Sequence, residues 1–232
     1  RDGEFVQADL AERAALKRAL AGVDVLYHLA GRVSFDPADG PAMYRLHVAG
    51  TRSLLEEVRA RGGLERMVLA STSGTTAVSR TERTATEDEL PPLEIVGRWP
   101  YYLSKIYEEK LVLEHARKHQ LPVVVLNPSL LLGPGDDRLS STWTVMKFLQ
   151  RDLPAMPNGG MSFVDVRDAA DAFVAALDRG ELGGKHLMGV NMSMSEFFGR
   201  LERISGVPAP RLRLPSKVNV AGAKLLKRLA EA

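Results

Sequence analysis

Residues 66–74 read RMVLASTSG, an apolar run that ends in three consecutive hydroxyl residues and a glycine. Two similar runs flank it in the chain: residues 23–31 read VDVLYHLAG, and residues 122–128 read PVVVLNP. These runs do not alternate apolar with polar residues, as a strand with one solvated face would. Continuous apolar runs are typical of parallel strands buried on both faces. We therefore predict that the three segments lie together in one parallel sheet.

Helical patterns separate these apolar runs. Helices are predicted at residues 11–21, 41–60 and 101–118, and a short strand is predicted at 4–7. Strands that alternate with helices favour a parallel sheet covered by helices on both faces. After residue 135 the pattern is more mixed, with helices predicted at 142–149, 167–177 and 193–204 and extended segments at 161–166 and 185–190. Residues 193–196, Ser-Met-Ser-Glu, form a capping-box pattern at the start of the last helix.

The composition excludes several classes of protein. The chain has 232 residues, 45% of them hydrophobic, which suits a packed α/β domain with a small lobe. Its net charge of +2 comes without a basic block, so no nucleic-acid partner is expected. The absence of cysteine excludes disulfides, and the five histidines suggest no paired spacing, so no metal site is predicted. Without a signal-peptide pattern or a membrane-spanning run, a cytoplasmic protein with no membrane partner is predicted.

Tyr101 and Lys105 are the clearest candidates for chemistry. They lie four residues apart within a predicted helix, so their side chains are expected on one face, one turn apart. An ammonium beside a phenol favours the ionised phenol and lowers its pKa. A tyrosine adjusted in this way can give a proton to an oxygen and take it back. The pair therefore indicates acid/base catalysis.

Taken in this order, the motifs resemble the extended short-chain dehydrogenase/reductases of the NAD-dependent epimerase/dehydratase superfamily. The closer likeness is to the dihydroflavonol 4-reductase-like and hopanoid-associated sugar epimerase-like branch, over residues 5–215. The resemblance implies a Rossmann-type doubly wound parallel sheet with a small C-terminal substrate lobe. Residues 1–135 would form the dinucleotide-binding domain, rejoined by strand and helix parts of 161–190. Residues 136–160 and 191–232 would form the substrate lobe.

The glycine-rich turn of that family, Gly-x-x-Gly-x-x-Gly, does not occur in the 232 residues. The turn joins the first strand of a Rossmann fold to its first helix and brings the backbone close to a pyrophosphate. We therefore expect the first strand–helix–strand unit to be missing from this sequence, with the chain beginning near the third strand. A different segment or partner filling that position is the alternative.

The resemblance implies a catalytic triad of a hydroxyl residue, a tyrosine and a lysine. Alignment of the hydroxyls that follow residues 66–70 gives Thr72 the catalytic position, with Ser71 or Ser73 as the alternatives if the register differs by one. Tyr101 would be the acid/base. Lys105 would lower the pKa of Tyr101 and bind the nicotinamide ribose. The competing interpretation is that the three hydroxyls only pair with backbone at the strand end.

The resemblance also implies a set of residues that contact NADP or NAD, with the choice between the two cofactors left open. Asp9 and Leu10 would lie beside the adenine, although Asp9 is also a good helix cap. Three small or apolar residues that begin at the last position of the strand at 23–29 would lie along the cofactor backbone, and the loop after the strand at 123–126 would border the nicotinamide. These contacts, in addition to Tyr101 and Lys105, are Leu29, Ala30, Gly31, Asn127, Pro128, Ser129 and Leu130.

One motif departs from the family pattern. The family has Asn in Asn-Val-x-Gly-Thr, whereas residues 47–51 here read HVAGT. A histidine offers one donor and one acceptor, as an amide does, but at different positions in space. The departure places the helix-anchoring or proton-relay role of that residue in question.

The predicted function is NAD(P)-dependent reduction of a ketone or aldehyde of a small, apolar substrate by hydride transfer. The alternatives are a nucleotide-sugar epimerase or dehydratase that uses the same triad, and a dinucleotide-binding sensor without catalysis. By likeness to the family, a homodimer is expected through the helices at 41–60 and 101–118.

Overall fold

The computed structural model describes residues 3–137 and 139–214. The helices are α1 Arg13–Ala19, α2 Gly40–Tyr44, α3 Thr51–Arg61, α4 Leu93–Val96, α5 Pro100–His119, α6 Trp143–Leu149, α7 Val166–Arg179 and α8 Met194–Ser205. The strands are β1 Val25–His28, β2 Arg66–Ala70, β3 Val123–Pro128, β4 Leu130–Leu132, β5 Met156–Pro157, β6 Gly160–Asp165, β7 Lys185–Met188, β8 Val190–Ser193 and β9 Arg213–Leu214. A π-helical segment, Arg45–Gly50, connects α2 to α3.

The chain forms two compact units. Among the described residues, the first comprises 3–129 and Arg167–Met188, and the second comprises those of 130–166 and 189–214. This division differs from the predicted one at residues 130–135, 161–166 and 189–190. The reason is strand pairing: β4 and β6 form a sheet with β8, whereas β7 pairs with β3.

The first unit contains a four-stranded parallel sheet in the order β1-β2-β3-β7. Side chains of successive strand residues point to opposite faces. Met67, Leu69 and Val125 therefore pack with Leu55 of α3 and Val112 of α5, among other residues. On the other face, buried strand residues pack against α7, with Val68, Val124, Leu126 and Ala176 in one cluster. Helices thus cover both faces, which confirms the predicted doubly wound α/β fold.

Several predicted elements differ from the structure at the amino-terminal side. Residues 4–7 form no strand, and Phe5 is exposed, because no described strand pairs with this segment. Asp9 caps a turn before α1 by accepting a hydrogen bond from the Ala11 backbone N–H at 2.8 Å. The long helix predicted at 41–60 is present, but the π-helical segment interrupts it.

The second unit is built around aromatic residues. β6 pairs with β4 in parallel and with β8 in antiparallel orientation, while β5 pairs with β9. Phe163 and Phe197 stack with ring centroids 4.3 Å apart, beside the buried Phe148 and Phe198. The predicted capping box of α8 is confirmed, because Ser193 and Glu196 exchange side-chain to backbone hydrogen bonds. Of the described residues, none belongs to a helix both long and apolar enough to cross a membrane.

Candidate active site

The carboxyl ends of β1, β2 and β3 lie at one edge of the first sheet because the strands are parallel. The hydroxyl residues 71–73 follow β2 directly, and a 3₁₀ turn at Ser73–Thr75 carries the chain away from the sheet. Helix α5 begins with Pro100 at its first turn, where a missing backbone N–H is harmless. Tyr101 is therefore at the start of the helix that packs against this edge.

Thr72 is the hydroxyl residue whose side chain acts on Tyr101, because it lowers the pKa of the Tyr101 phenol against the effect of burial. Thr72 Oγ1 also accepts a hydrogen bond from the Gly74 backbone N–H at 3.3 Å, as the cap of the 3₁₀ turn. The turn fixes the orientation of the threonine, because its hydroxyl oxygen has a backbone donor. Among the three candidate hydroxyls, this geometry supports Thr72 for the catalytic position.

Ser71 has a different role. Its hydroxyl donates a hydrogen bond to Glu109 Oε2 at 2.6 Å, and the same oxygen accepts from Thr75 Oγ1 at 2.9 Å and Asn127 Nδ2 at 2.8 Å. Asn127 Nδ2 also lies 3.2 Å from the backbone oxygen of Thr72. The buried Glu109 carboxylate therefore ties the ends of β2 and β3 together and supports the loop that carries Thr72. Asn127, predicted to contact the cofactor, directs its amide group into this buried network.

The pKa of Tyr101 shifts in the direction opposite to the one predicted. Burial is the main cause and raises the pKa of Tyr101 to about 12, with smaller contributions from Tyr102 and Glu108, although the Thr72 side chain acts to lower it. The lysine ammonium is meanwhile engaged by other groups. Lys105 Nζ donates a hydrogen bond to the Ala70 backbone oxygen at 2.8 Å and a second one to Glu108 Oε2. The carboxylate of Glu108 thus offsets the ammonium charge that was expected to act on Tyr101.

His47 occupies the position where the family has Asn, and it is fully buried within the π-helical segment. Its Nε2 accepts a hydrogen bond from the Arg32 backbone N–H at 3.0 Å. Nδ1 must then carry the proton and donate to Ser104 Oγ, which lies 2.8 Å away and itself donates to the Tyr101 backbone oxygen at 2.8 Å. His47 therefore anchors the start of α5 to the loop after β1, which is the helix-anchoring role that the sequence pattern had placed in question.

Part of the predicted cofactor set lies together. Leu10, Leu29 and Ala30 line one apolar cavity of about 250 Å³ beside β1. Gly31 follows them and is exposed, close to His47. The apolar lining and the open backbone of this loop fit an adenosine moiety better than a charged group. These residues therefore fit part of a dinucleotide.

The other predicted cofactor contacts are distributed differently. Asp9 is exposed and its carboxylate is used by the turn before α1. Pro128 ends β3, and the Ser129 backbone N–H donates to the Met188 oxygen at 2.9 Å. Leu130 begins β4 and packs with the aromatic cluster of the second unit, because it belongs to that unit's sheet.

The prediction that no two histidines have a paired spacing is wrong. His115 and His119 lie one turn apart on α5, with ring centroids separated by 5.3 Å. Burial lowers the pKa of His115, as do the neighbouring His119, Arg52 and Arg59. Within residues 3–137 and 139–214, no group of three potential metal-ligating side chains is present. The expectation of no metal site stays a prediction.

The parallel sheet with helices on both faces defines a Rossmann-type protein, in which Thr72 follows β2 and Tyr101 and Lys105 lie on α5. The chain belongs to the NAD-dependent epimerase/dehydratase family, whose model matches residues 1–189. This match confirms the predicted family.

Three relatives illustrate where in the family the chain lies. It is 32% identical to a dihydroflavonol 4-reductase-like protein of Synechocystis over 207 residues, which are 86% of this chain and 59% of that protein. It is 31% identical to sterol demethylase protein B of Methylococcus capsulatus over 226 residues, 97% of this chain and 67% of the relative. It is 28% identical to cinnamoyl-CoA reductase 1 of Arabidopsis thaliana over 219 residues, 91% of this chain and 61% of the relative. The chain thus spans about two thirds or less of each relative.

Solved structures confirm the fold. The crystal structure of gox2253 superimposes with a TM-score of 0.85 at 28% identity, covering 99% of this chain and 69% of that one. UDP-glucuronic acid 4-epimerase from Bacillus cereus, in complex with UDP-glucuronic acid and NAD, gives a TM-score of 0.76 at 25% identity, with 92% and 69% coverage. This chain and these two proteins therefore share a Rossmann-like architecture.

Proposed function

We propose that the protein is an NAD(P)-dependent reductase that converts a ketone or aldehyde into an alcohol. The observation that carries this proposal is that α5, with Tyr101 and Lys105, meets the end of β2, which Thr72 follows: Lys105 Nζ donates a hydrogen bond to the Ala70 backbone oxygen at 2.8 Å. This arrangement brings a proton donor, Tyr101, and an oriented hydroxyl, Thr72, to the same edge of the sheet in a chain whose family uses NAD. A bound nicotinamide dinucleotide would supply the hydride.

The roles of the side chains follow from their positions. Thr72 Oγ1 would donate a hydrogen bond to the carbonyl oxygen of the substrate and orient it beside Tyr101. The Tyr101 hydroxyl would give its proton to the same oxygen as negative charge develops there. Two of the three ammonium hydrogens of Lys105 have acceptors in Ala70 and Glu108, and we assign the third to a ribose hydroxyl of the cofactor.

Leu10, Leu29 and Ala30 would hold the adenosine end of the cofactor through their shared apolar cavity. The substrate oxygen would lie near Thr72 and Tyr101. Further contacts with the cofactor are proposed from likeness to the family alone; they are Asp9, Gly31, Pro128, Ser129 and Leu130. Either NAD or NADP satisfies the chemistry proposed here.

Tyr101 can serve as the proton donor that reduction of a carbonyl needs, because its pKa is raised to about 12 and the phenol is protonated at neutral pH. The names of two relatives, a dihydroflavonol 4-reductase-like protein and a cinnamoyl-CoA reductase, agree with carbonyl reduction.

A second candidate is a nucleotide-sugar epimerase or dehydratase. It is supported by the family description and by the structural likeness to UDP-glucuronic acid 4-epimerase. That reaction removes a hydride from an alcohol before returning it, so it requires tyrosinate in its first half. The two relatives that are named as reductases make this the less favoured candidate. A dinucleotide-binding sensor without catalysis is a third candidate, and the intact Thr72, Tyr101 and Lys105 argue against it.

One experiment separates these three candidates. The full-length protein is mixed with NADH or NADPH and a panel of ketones, aldehydes and keto-sugars, and in parallel with oxidised NAD and a panel of nucleotide sugars. The consumption of reduced cofactor, the alcohol product and the converted sugar are measured. The reductase consumes cofactor in proportion to the alcohol formed. The epimerase converts a nucleotide sugar without net cofactor consumption, and the sensor binds cofactor without turnover. Either of these last two results would contradict the proposed reductase.

We also propose a homodimer that buries α2, α3 and α5. Tyr44 and Tyr107 support it: they are 51% and 46% exposed, and their rings meet edge to face with centroids 6.4 Å apart. Exposed paired aromatic rings are typical of the buried centre of an interface.

A further inference from the structure

Helix α5 carries a buried carboxylate, Glu109, beside the turn of residues 72–76 that begins with Thr72. Tyr101, Lys105 and Glu109 follow one another at intervals of four residues, so one face of α5 carries all three side chains. The carboxylate therefore lies on the same helix as the proposed proton donor, two turns further along. The question is what this carboxylate holds.

Three donors converge on one oxygen of Glu109. Oε2 accepts hydrogen bonds from Ser71 Oγ at 2.6 Å, Thr75 Oγ1 at 2.9 Å and Asn127 Nδ2 at 2.8 Å. The other oxygen, Oε1, lies 3.6 Å from the ammonium of Lys185 on β7. Because these four neighbours are all donors and one of them is charged, the carboxylate is compensated although it is only 5% exposed.

Two of these donors also contact the backbone of Thr72. Its carbonyl oxygen lies 2.9 Å from Thr75 Oγ1 and 3.2 Å from Asn127 Nδ2. At the other end of the turn, Lys185 Nζ donates to Thr76 Oγ1 at 3.2 Å. The groups that surround the carboxylate therefore contact the turn at both of its ends.

These contacts join α5 to the hydroxyl proposed to orient the substrate. Thr72 Oγ1 accepts a hydrogen bond from the Gly74 N–H within the turn, so a displaced turn would also displace this hydroxyl from the proton donor on α5. A misplacement of about 1 Å can cost on the order of 100-fold in rate. Resting on the proposed function, we infer that Glu109 is a positioning residue. Through Thr75 and Asn127 it holds the Thr72 hydroxyl where that group orients the substrate carbonyl.

The first measurement is amide hydrogen exchange, which needs neither cofactor nor substrate. The Gly74 N–H donates to Thr72 Oγ1 at 3.3 Å, so its exchange rate reports whether that hydroxyl keeps its orientation. The rate is compared with that of Val125 in the buried strand β3, which corrects for a change in global stability. Thr75→Val keeps the shape of the side chain and removes its hydroxyl. In this variant Gly74 is expected to exchange at least about 10-fold faster relative to Val125.

Ser71→Ala is the matched control. Both hydroxyls donate to the same oxygen of Glu109, but among the described residues Ser71 Oγ makes no second hydrogen bond to the turn. Ser71→Ala is therefore expected to leave the relative exchange rate of Gly74 unchanged. An equal acceleration in Ser71→Ala and Thr75→Val would contradict the inference, because the contact with the Thr72 oxygen would then not be what holds the turn.

Glu109→Gln tests the carboxylate itself. Since the four polar neighbours of this side chain are donors, the amide NH₂ of the variant must face one of them. Gly74 is therefore expected to exchange faster, as in Thr75→Val. A relative rate equal to that of the wild type would overturn the inference. If Glu109→Gln does not fold, the comparison of Thr75→Val with Ser71→Ala decides.

Turnover separates this inference from the proposed function. Glu109→Gln is expected to lower kcat at least about 10-fold in the wild type and much less in the Thr72→Ala background, because it acts through Thr72. The Kd of the cofactor should stay the same. If the loss of kcat is equally large in both backgrounds, the inference fails and the proposed function stands. If the wild type shows no turnover with any substrate, the proposed function fails, and the exchange rates still decide whether Glu109 holds the turn. Thr75→Val replaces Glu109→Gln in this cycle if the latter does not fold.

Discussion

His47 Nδ1 lies 2.8 Å from Ser104 Oγ, so a π-helical segment is hydrogen-bonded to the first turn of the helix that carries Tyr101. The ring of His47 also meets that of Tyr101 edge to face, with centroids 6.2 Å apart. π-Helical turns often occur at functional sites, where they redirect a side chain. Here the turn directs a buried histidine to a position that bridges the loop after β1 and the start of α5.

The first prediction concerns the pH dependence of stability. Burial lowers the pKa of His47 from 6.5 to about 4 in the folded protein. The unfolded chain therefore binds a proton first as pH falls, so the stabilisation is complete above about pH 6.5 and is lost as pH decreases toward 4. The loss amounts to at most about 3 kcal/mol. Denaturant unfolding of the wild type and His47→Asn across this range measures it.

His47→Asn restores the family residue and cannot titrate. The difference in unfolding free energy between the wild type and His47→Asn should therefore change in favour of the variant between pH 6.5 and pH 4, the two pKa values of His47. A difference that stays constant with pH would show that His47 is not the group responsible.

The second prediction separates two adjacent hydroxyls. Ser71→Ala removes a hydrogen bond from the buried Glu109 carboxylate and should destabilise the protein by about 1–3 kcal/mol, with turnover largely retained. Thr72→Ala removes the hydroxyl that we propose orients the substrate carbonyl beside Tyr101, so kcat should fall about 100-fold while stability changes less. Unfolding curves and steady-state kinetics on both variants check this. If Ser71→Ala were the inactive variant instead of Thr72→Ala, the alignment that gives Thr72 the catalytic position would be wrong.

The third prediction follows from a close contact at Gly74. A Cβ atom added there would lie 2.0 Å from Tyr102 Cε1, and Tyr102 in turn packs against Trp99 and Tyr101. Gly74→Ala should displace the Tyr102 ring and destabilise the protein by about 1–3 kcal/mol. Thermal unfolding and kcat measure the effect, and both should fall.

Gly199→Ala is the control for Gly74→Ala. Gly199 lies within α8, where an added Cβ would be 3.7 Å from Arg203 Nη1, an ordinary contact. Alanine stabilises a helix interior relative to glycine by about 0.5–1 kcal/mol, so this variant should be as stable as the wild type or more so. If Gly74→Ala and Gly199→Ala lost stability equally, the contact with Tyr102 would not be the cause of the effect at Gly74.

The fourth prediction tests the proposed dimer. Sedimentation velocity should show a dimer of the wild type, and Tyr107→Glu should shift the protein toward the monomer, because it places a charge in the centre of the interface. Glu114→Gln, on the same helix, should leave the dimer intact. A wild type that is monomeric at all concentrations would remove the proposal.

The fold was largely predictable because its signal is local. The apolar runs that became β1, β2 and β3 are buried on both faces, and this requirement left a continuous apolar pattern in the sequence. The spacing of Tyr101 and Lys105 likewise placed both residues on α5. The prediction of a strand at residues 4–7 was wrong. A strand forms only beside a partner strand, and a short apolar pattern does not show whether such a partner strand is present.

The electrostatics of the site could not be predicted in the same way. A spacing of four residues places Lys105 on the same face as Tyr101, but it does not say which acceptor the ammonium contacts. Glu108 looks like a surface charge in the sequence, and only the packing of β1 and α3 against α5 buries it. The pKa of Tyr101 was expected to fall and is instead raised, because burial outweighs every other contribution.

The most direct measurement is turnover by Tyr101→Phe with the best carbonyl substrate and reduced cofactor. The variant keeps the ring and loses only the proton donor, so kcat should fall by about 100- to 10,000-fold while the Kd of the cofactor changes little. Tyr107→Phe, which removes the same hydroxyl from an exposed position on α5, should retain wild-type kcat. A Tyr101→Phe variant that reduces the substrate at the wild-type rate would contradict the role of Tyr101 as the acid.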